Sequence, residues 1–198
     1  MGVSIEDIKK LKELTGVGLT DAKVALVEAD GDFDKALEAM RKKGLTRAEK
    51  KGDREAREGL IDSYVHGGRI GVVVEVNCET DFVARLDDFK KLAHEVAMQI
   101  AAMSPKYVTA EEIPEDEMAR VRKEAEERVA SEGKPADIAE KIVDGQVKKH
   151  FAEQVLMSQP YILEEGKTVE DHIKENIAKL GENIVIRQFK RIELGVNE

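Results

Sequence analysis

The amino-acid sequence predicts an α+β fold, and three observations carry that expectation. Over residues 1–44 apolar residues recur at helical spacing in short runs broken by glycines. From Gly59 the period changes, and two strand-like apolar runs flank a Gly-Gly pair. Helical stripes then dominate until Ile184, where a last strand-like run begins. The expected architecture is a three-helix head over residues 1–44, a charged linker over 45–58 and a core over 59–198. In that core a short antiparallel sheet of about three strands is covered by helices on one face.

Ser4, with Asp7 three places on, has the pattern of a capping box, and Ile5, Ile8, Leu11 and Leu14 follow at helical spacing. Gly16-Val17-Gly18-Leu19 interrupts the pattern. Thr20 or Asp21 can cap a second helix whose apolar face is Ala22, Ala25, Leu26 and Ala29. Asp30-Gly31-Asp32 is a turn. A third helix aligns Phe33, Ala36, Leu37 and Met40, with Arg41, Lys42 and Lys43 in its last turn and Gly44 as a left-handed stop. Such a bundle resembles the ubiquitin-associated (UBA) domain, so the head is expected to be UBA-like. In the linker, Arg47, Lys50, Lys51, Arg54 and Arg57 alternate with Glu49, Asp53 and Glu55. Mixed signs favour a solvated, partly helical connection over a nucleic-acid patch.

In the core, Leu60 to Val65 and Ile70 to Val76 flank His66-Gly67-Gly68-Arg69, a hairpin signal. Ile70, Val72, Val74 and Val76 share one sheet face, and Val73 adds an apolar residue to the other. Phe89, Leu92, Ala93, Val96, Ala97, Ile100 and Ala101 form an unbroken helical stripe that Ser104-Pro105 ends. Residues 115–132 read as an exposed, heavily charged helix with a thin stripe at Met118, Val121, Ala125 and Val129, broken by Gly133 and Pro135. A further helix from about Ala136 carries Ile138, Ile142, Val143, Val147 and Phe151. Thr168 and Asp171 cap another, which Gly181 stops. The strand from Ile184 slips in alternation near Gln188-Phe189, the mark of a bulge. A three-stranded sheet apolar on both faces leaves one face uncovered, and a second copy of the chain is expected to cover it as a homodimer.

Composition limits the chemistry. The net charge of -9 argues against nucleic acid as a direct partner. Cys78 is the one thiol, so no intrachain disulfide can form, and a small buried residue at a strand end is its expected role. His66, His94, His150 and His172 are scattered, with no metal-ligand spacing, and no cofactor is expected. Gly16-Val17-Gly18 follows a helix rather than a strand and lacks the rest of a nucleotide loop. No apolar run reaches the ~18 residues of a membrane span, and no secretory signal is visible, which makes the cytoplasm the expected location.

One segment carries more information than the rest. In Glu75-Val76-Asn77-Cys78-Glu79-Thr80-Asp81-Phe82-Val83-Ala84 a carboxylate and a large aromatic stand together just beyond a strand end. A pair needed together at an element terminus reads as a probe aimed outward. Two plainer readings stand beside it: Asp81 capping the following turn, and Phe82 sealing the core. The segment resembles the signature of bacterial elongation factor Ts, E-V-N-C-x-T-D-F-V-A. Leu14 to Lys23 is similar to that family's L-T-G-x-G-x-x-D-x-K, and Gly133 to Val143 and Glu182 to Arg187 also look familial. The family's coiled-coil arm and C-terminal module are not expected here, which matches its short members. Those members also suggest a homodimer. In some relatives a His fills the position of Gln99.

The resemblance implies a guanine-nucleotide exchange factor for elongation factor Tu, with no covalent chemistry. It implies that Thr80, Asp81, Phe82 and Val83 form the exchange contact, and that Gly16, Val17, Gly18, Leu19 and Lys23 of the head dock on the GTPase. A UBA-type adaptor without exchange activity is the alternative, and an RNA-associated protein using residues 41–57 is a third reading.

Overall fold

The structure, a computed structural model, describes residues 3–131 and 136–196. Its head is three helices, α1 (Ile5–Thr15), α2 (Leu19–Glu28) and α3 (Phe33–Glu49). Ser4 caps α1, its hydroxyl accepting from the Asp7 N–H at 3.1 Å, and Asp32 caps α3 by accepting from Lys35 N–H. Leu11, Ala22, Ala25, Leu26, Ala36 and Met40 close a small core between them. Two expected boundaries are corrected. α2 begins at Leu19 with Gly18 as its cap, so neither Thr20 nor Asp21 starts it. α3 runs through Gly44 to Glu49.

Gly44 is not a left-handed stop because it serves a different need. It is buried against a later helix, where an added Cβ would lie 3.2 Å from the Ala178 Cβ. Its missing side chain lets two helices approach. Arg41, Lys42 and Lys43 therefore lie within α3, and each meets an acid: Glu164 at 3.1 Å, Glu38 at 2.8 Å and Asp21 at 3.6 Å. The first half of the linker is helical, and Lys51 Nζ then donates to the Gly181 carbonyl.

The core is built on β1 (Glu58–His66), β2 (Ile70–Cys78) and β3 (Ile184–Glu193), antiparallel with β2 in the centre. Gly67 and Gly68, at φ 55° and 69°, form the hairpin turn, and Arg69 N–H donates to the His66 carbonyl at 3.0 Å. Positive φ at both positions matches the right-handed strand twist. The expected bulge is present: Glu75 pairs with Gln188 and Val76 with Ile186, which leaves Arg187 as the extra residue.

Val72, Val74 and Val76 are buried beneath α5 (Asp87–Met103), whose stripe of Phe89, Leu92, Val96 and Ile100 forms the main core. Ser104 ends α5 in the left-handed region, at φ 46°. α8 (Val169–Leu180) has a complete Thr168–Asp171 capping box and stops at Gly181, φ 83°. The opposite sheet face carries Ile61, Val65, Val73, Val185 and Ile192, all exposed. The irregular run before α8 is held by a buried amide pair. Gln99 Nε2 donates to Gln159 Oε1 and to the Pro160 carbonyl, each at 3.1 Å, and Gln99 Oε1 accepts from Ile162 N–H.

Between α5 and α8 stand α6 (Glu115–Ser131) and α7 (Ala136–Ala152). Val121, Ala125 and Val129 of α6 pack on Val143, Val147 and Phe151 of α7, a cluster separate from the main core. Arg122 reaches Asp144 across the pair at 2.8 Å. This corrects two expectations. α6 is not a lone exposed helix, and a paired-helix arm does interrupt the core. A thin stripe suffices when a second helix covers it. Ile138, expected on the buried side of α7, is exposed. Gly133 and Pro135, expected to break the helix, lie outside the described residues.

Head and core meet along α3 and α8. Arg41 bonds Glu164 at 3.1 Å and lies 3.5 Å from Glu175, while Lys167 Nζ is 2.7 Å from both carboxylates. Gly16, at φ 66°, sits where an added Cβ would come within 2.4 Å of the Lys179 Cα. Gly16→Ala is therefore expected to push the α1–α2 turn off α8 and cost about 2 kcal/mol or more, measured by chemical denaturation. The bond from Lys167, with Arg41 adding to it, holds the Glu164 carboxyl below its ordinary range. A lowered folded value stabilises fully above the unfolded value. That contribution is lost as pH falls through the lowered one, below about pH 4. Thermal unfolding followed from about pH 7 to about pH 3 is expected to show a shallower acid-side loss in Glu164→Gln.

Candidate functional site

β2 ends at Cys78, and α4 (Asp81–Ala84), a single helical turn, follows almost at once. Thr80 is its cap: the hydroxyl lies 3.5 Å from the Val83 N–H and donates to Glu182 Oε1 at 2.6 Å. Asp81 does not cap the turn. Its carboxylate reaches forward to Arg85 at 2.7 Å, and both side chains are exposed. Val83 turns inward and is buried in the main core. Phe82 points the other way and is 78 % exposed, the highest value among the described large apolar residues. It seals nothing. Burying such a ring against a partner is worth ~1.5–3 kcal/mol.

The backbone beneath the turn is held by carboxylates exchanged between two neighbouring segments. Glu182 accepts from Glu79 N–H at 3.1 Å and Thr80 N–H at 3.0 Å. Glu79 accepts from Asn183 N–H at 2.7 Å and lies 3.5 Å from Arg54. The buried Asn183 amide donates to the Gly52 and Arg54 carbonyls. Cys78 is fully buried, and its thiol lies 3.2 Å from the Thr80 carbonyl. Burial, with the Glu182 charge adding to it, pushes that thiol up to about 11. It stays protonated near neutral pH and is no nucleophile.

The head residues divide in the same way. Val17 is buried in the head core, and Gly16 packs against Lys179. Gly18 caps α2, which presents Leu19 and Lys23 outward. Lys179 also reaches Asp88, in the first turn of α5, at 2.9 Å. The head turn is thus joined to the helix that follows α4. Gln99 is fully buried, and its amide holds the 159–162 segment.

Sequence reasoning missed several neighbours. Leu86, 46 % exposed, follows the Asp81-Phe82 turn, and Val24 and Val27 extend the apolar surface of α2 beyond Leu19. All three are apolar residues left over once the helical stripes are assigned, and that surplus was the available signal. Glu182 stood out only as the start of a run that looks familial, and no local pattern gave its role. Among the described residues, no group of His, Cys, Asp and Glu could hold a metal ion, and no helix is long and apolar enough to cross a membrane.

Comparison with known proteins gives a consistent result. A family model described as elongation factor TS matches residues 44–176. Elongation factor Ts of Fervidobacterium nodosum is 49 % identical over 196 residues, which cover 98 % of this chain and 100 % of that protein. Elongation factor Ts of Coprothermobacter proteolyticus is 50 % identical over 196 residues, with coverage of 98 % and 100 %. Elongation factor Ts of Syntrophomonas wolfei is 50 % identical over 194 residues, with coverage of 98 % and 91 %. With about half of the residues identical over 98 % of its length, the chain belongs to the elongation factor Ts family.

Proposed function

We propose that this chain releases GDP from elongation factor Tu by setting Phe82 as a wedge into an apolar gap of the GTPase domain. Membership of the elongation factor Ts family makes it the guanine-nucleotide exchange factor of that GTPase. It is a cytoplasmic translation factor rather than an enzyme that makes or breaks bonds. The observation that carries the wedge is a fully presented phenylalanine on a turn whose backbone is tied down on its inner side.

The physical requirement is differential binding. An exchange factor must bind the nucleotide-free partner better than the GDP-bound one, and GDP binding then weakens by the same factor. Phe82 supplies apolar area that only an opened partner accepts. Asp81, paired at rest with Arg85 on the surface, exchanges that ion pair for the groups that position the partner's magnesium ion. Thr80 and Val83 fix the turn from beneath. Leu19 and Lys23 of the head dock on a neighbouring helix of the same domain, while Gly16, Val17 and Gly18 shape the turn that presents them. The later helices contact a second domain of the partner. A second copy of the chain covers the outer sheet face, where Ile61, Val65 and Ile192 are each about two-thirds exposed or more.

Two measurements test this. In stopped flow with fluorescent GDP, Phe82→Ala is expected to lower the acceleration of release by ~30-fold or more, as for an interface anchor of ~2 kcal/mol. Its unfolding midpoint should stay near that of the parent protein. Undiminished release, or an unfolded variant, would refute the wedge. By sedimentation equilibrium the protein is expected to be a dimer, and Val65→Asp with Ile192→Asp a monomer. A monomeric parent protein would refute the covered sheet.

A further inference from the structure

We infer that Glu182 is a positioning residue for nucleotide exchange: its carboxylate, contributed from the far end of the chain, holds the Asp81-Phe82 turn in its inserting geometry before the partner arrives. The inference rests on the wedge reading of Phe82 and adds the group that makes the wedge stiff.

A single helical turn has no stability of its own, because nucleation fixes several dihedrals for one hydrogen bond. α4 is such a turn, and the side chain that it must present gains nothing from its own fold. Three donors converge on Glu182 directly ahead of it. They are the Glu79 N–H at 3.1 Å, the Thr80 N–H at 3.0 Å and the Thr80 hydroxyl at 2.6 Å. The same hydroxyl oxygen faces the Val83 N–H within the turn. One carboxylate therefore fixes two consecutive peptide groups and, through Thr80, the first turn of α4. Charge-assisted bonds of this kind are about twice as strong as neutral ones. Residues 79 and 80 have no sheet partners beyond Cys78↔Ile184, so the carboxylate takes over where the ladder ends.

The consequence for exchange is entropic. A turn already ordered loses little freedom on insertion, whereas a frayed one must be ordered at the partner's surface. Other contacts still bring the two proteins together when the turn is frayed. The loss then appears in the insertion step and not in encounter.

The test titrates the full-length protein in excess over elongation factor Tu loaded with fluorescent GDP, and reads the plateau rate and the half-saturating concentration separately. Glu182→Gln keeps the size of the side chain but removes its charge and one of its two acceptor oxygens, so the charge-assisted character of all three bonds is lost. Its plateau is expected to fall about tenfold, with an unchanged half-saturating concentration. In a Phe82→Ala background the same change should add no further loss, since both act through one wedge. Amide hydrogen exchange at Glu79 and Thr80 should quicken while global stability holds. Thr80→Val removes the hydroxyl arm together with its cap on Val83 N–H but leaves both backbone bonds to Glu182, and should show the same split even if Glu182→Gln fails to fold. A preserved plateau, a shift confined to half-saturation, or losses that add in the double variant would each overturn the positioning role. A full plateau in Phe82→Ala alone would instead overturn the wedge itself.

Discussion

Val72, Val74 and Val76 bury one face of the central strand against Phe89, Leu92, Val96 and Ile100, and the main core is built on that contact. Side chains alternate along a strand, so a slip of one residue would turn all three valines to the opposite face. At ~1.5–3 kcal/mol for each buried side chain, that slip is prohibitive. The register of β2 is fixed accordingly, and so is the point at which it leaves the sheet. Cys78 is its last paired residue, and the turn that presents Phe82 begins immediately beyond. The hydrophobic core thus sets the address of an exposed aromatic that it does not contain.

Apolar packing alone does not finish this task. Val83 is the only residue of the α4 turn rooted deeply in the core. The remaining constraint is polar and reciprocal: Glu79 serves the backbone at 183, and Glu182 serves the backbone at 79 and 80. Asn183 extends the tie to the linker through two carbonyls. Exposed apolar surface at Phe82, Leu86 and the α2 stripe is accordingly carried on an ordered frame, while the sheet face around Ile61 and Ile192 offers a flatter apolar area.

Much of this was legible in the sequence, for reasons that are local. Period distinguishes strand from helix in β2 and α5. Gly67-Gly68 allows the turn, and Thr168 with Asp171 writes its own cap. The pair Asp81-Phe82 was singled out by its place beyond a strand end together with its match to a family signature, since a cap and a core seal were local readings of the same residues. Other features depend on residues far apart, and no local pattern reveals them. Thr80 and Glu182 are 102 positions apart. Gly44 is ambiguous in principle, since the same residue type serves a left-handed stop and a close helix crossing, and only Ala178 decides between them. The charge-rich α6 looked solitary because its stripe is thin. Its partner α7 lies beyond a segment that the period does not bridge.

The continuity of α3 through Gly44 has a mechanical meaning. A head joined to its core by a coil could swing, and a push received at α2 would be dissipated in the hinge. Here a single rod runs from the head into the connection, with its middle seated against Ala178 of α8 and its flank bolted through Arg41 to Glu164. α8 leads directly into Gly181 and Glu182. Load applied to the head is thus borne by the same helix whose end clamps the Phe82 turn. The exposed surface of α2 and the Phe82 turn are thus two points on one continuous lever.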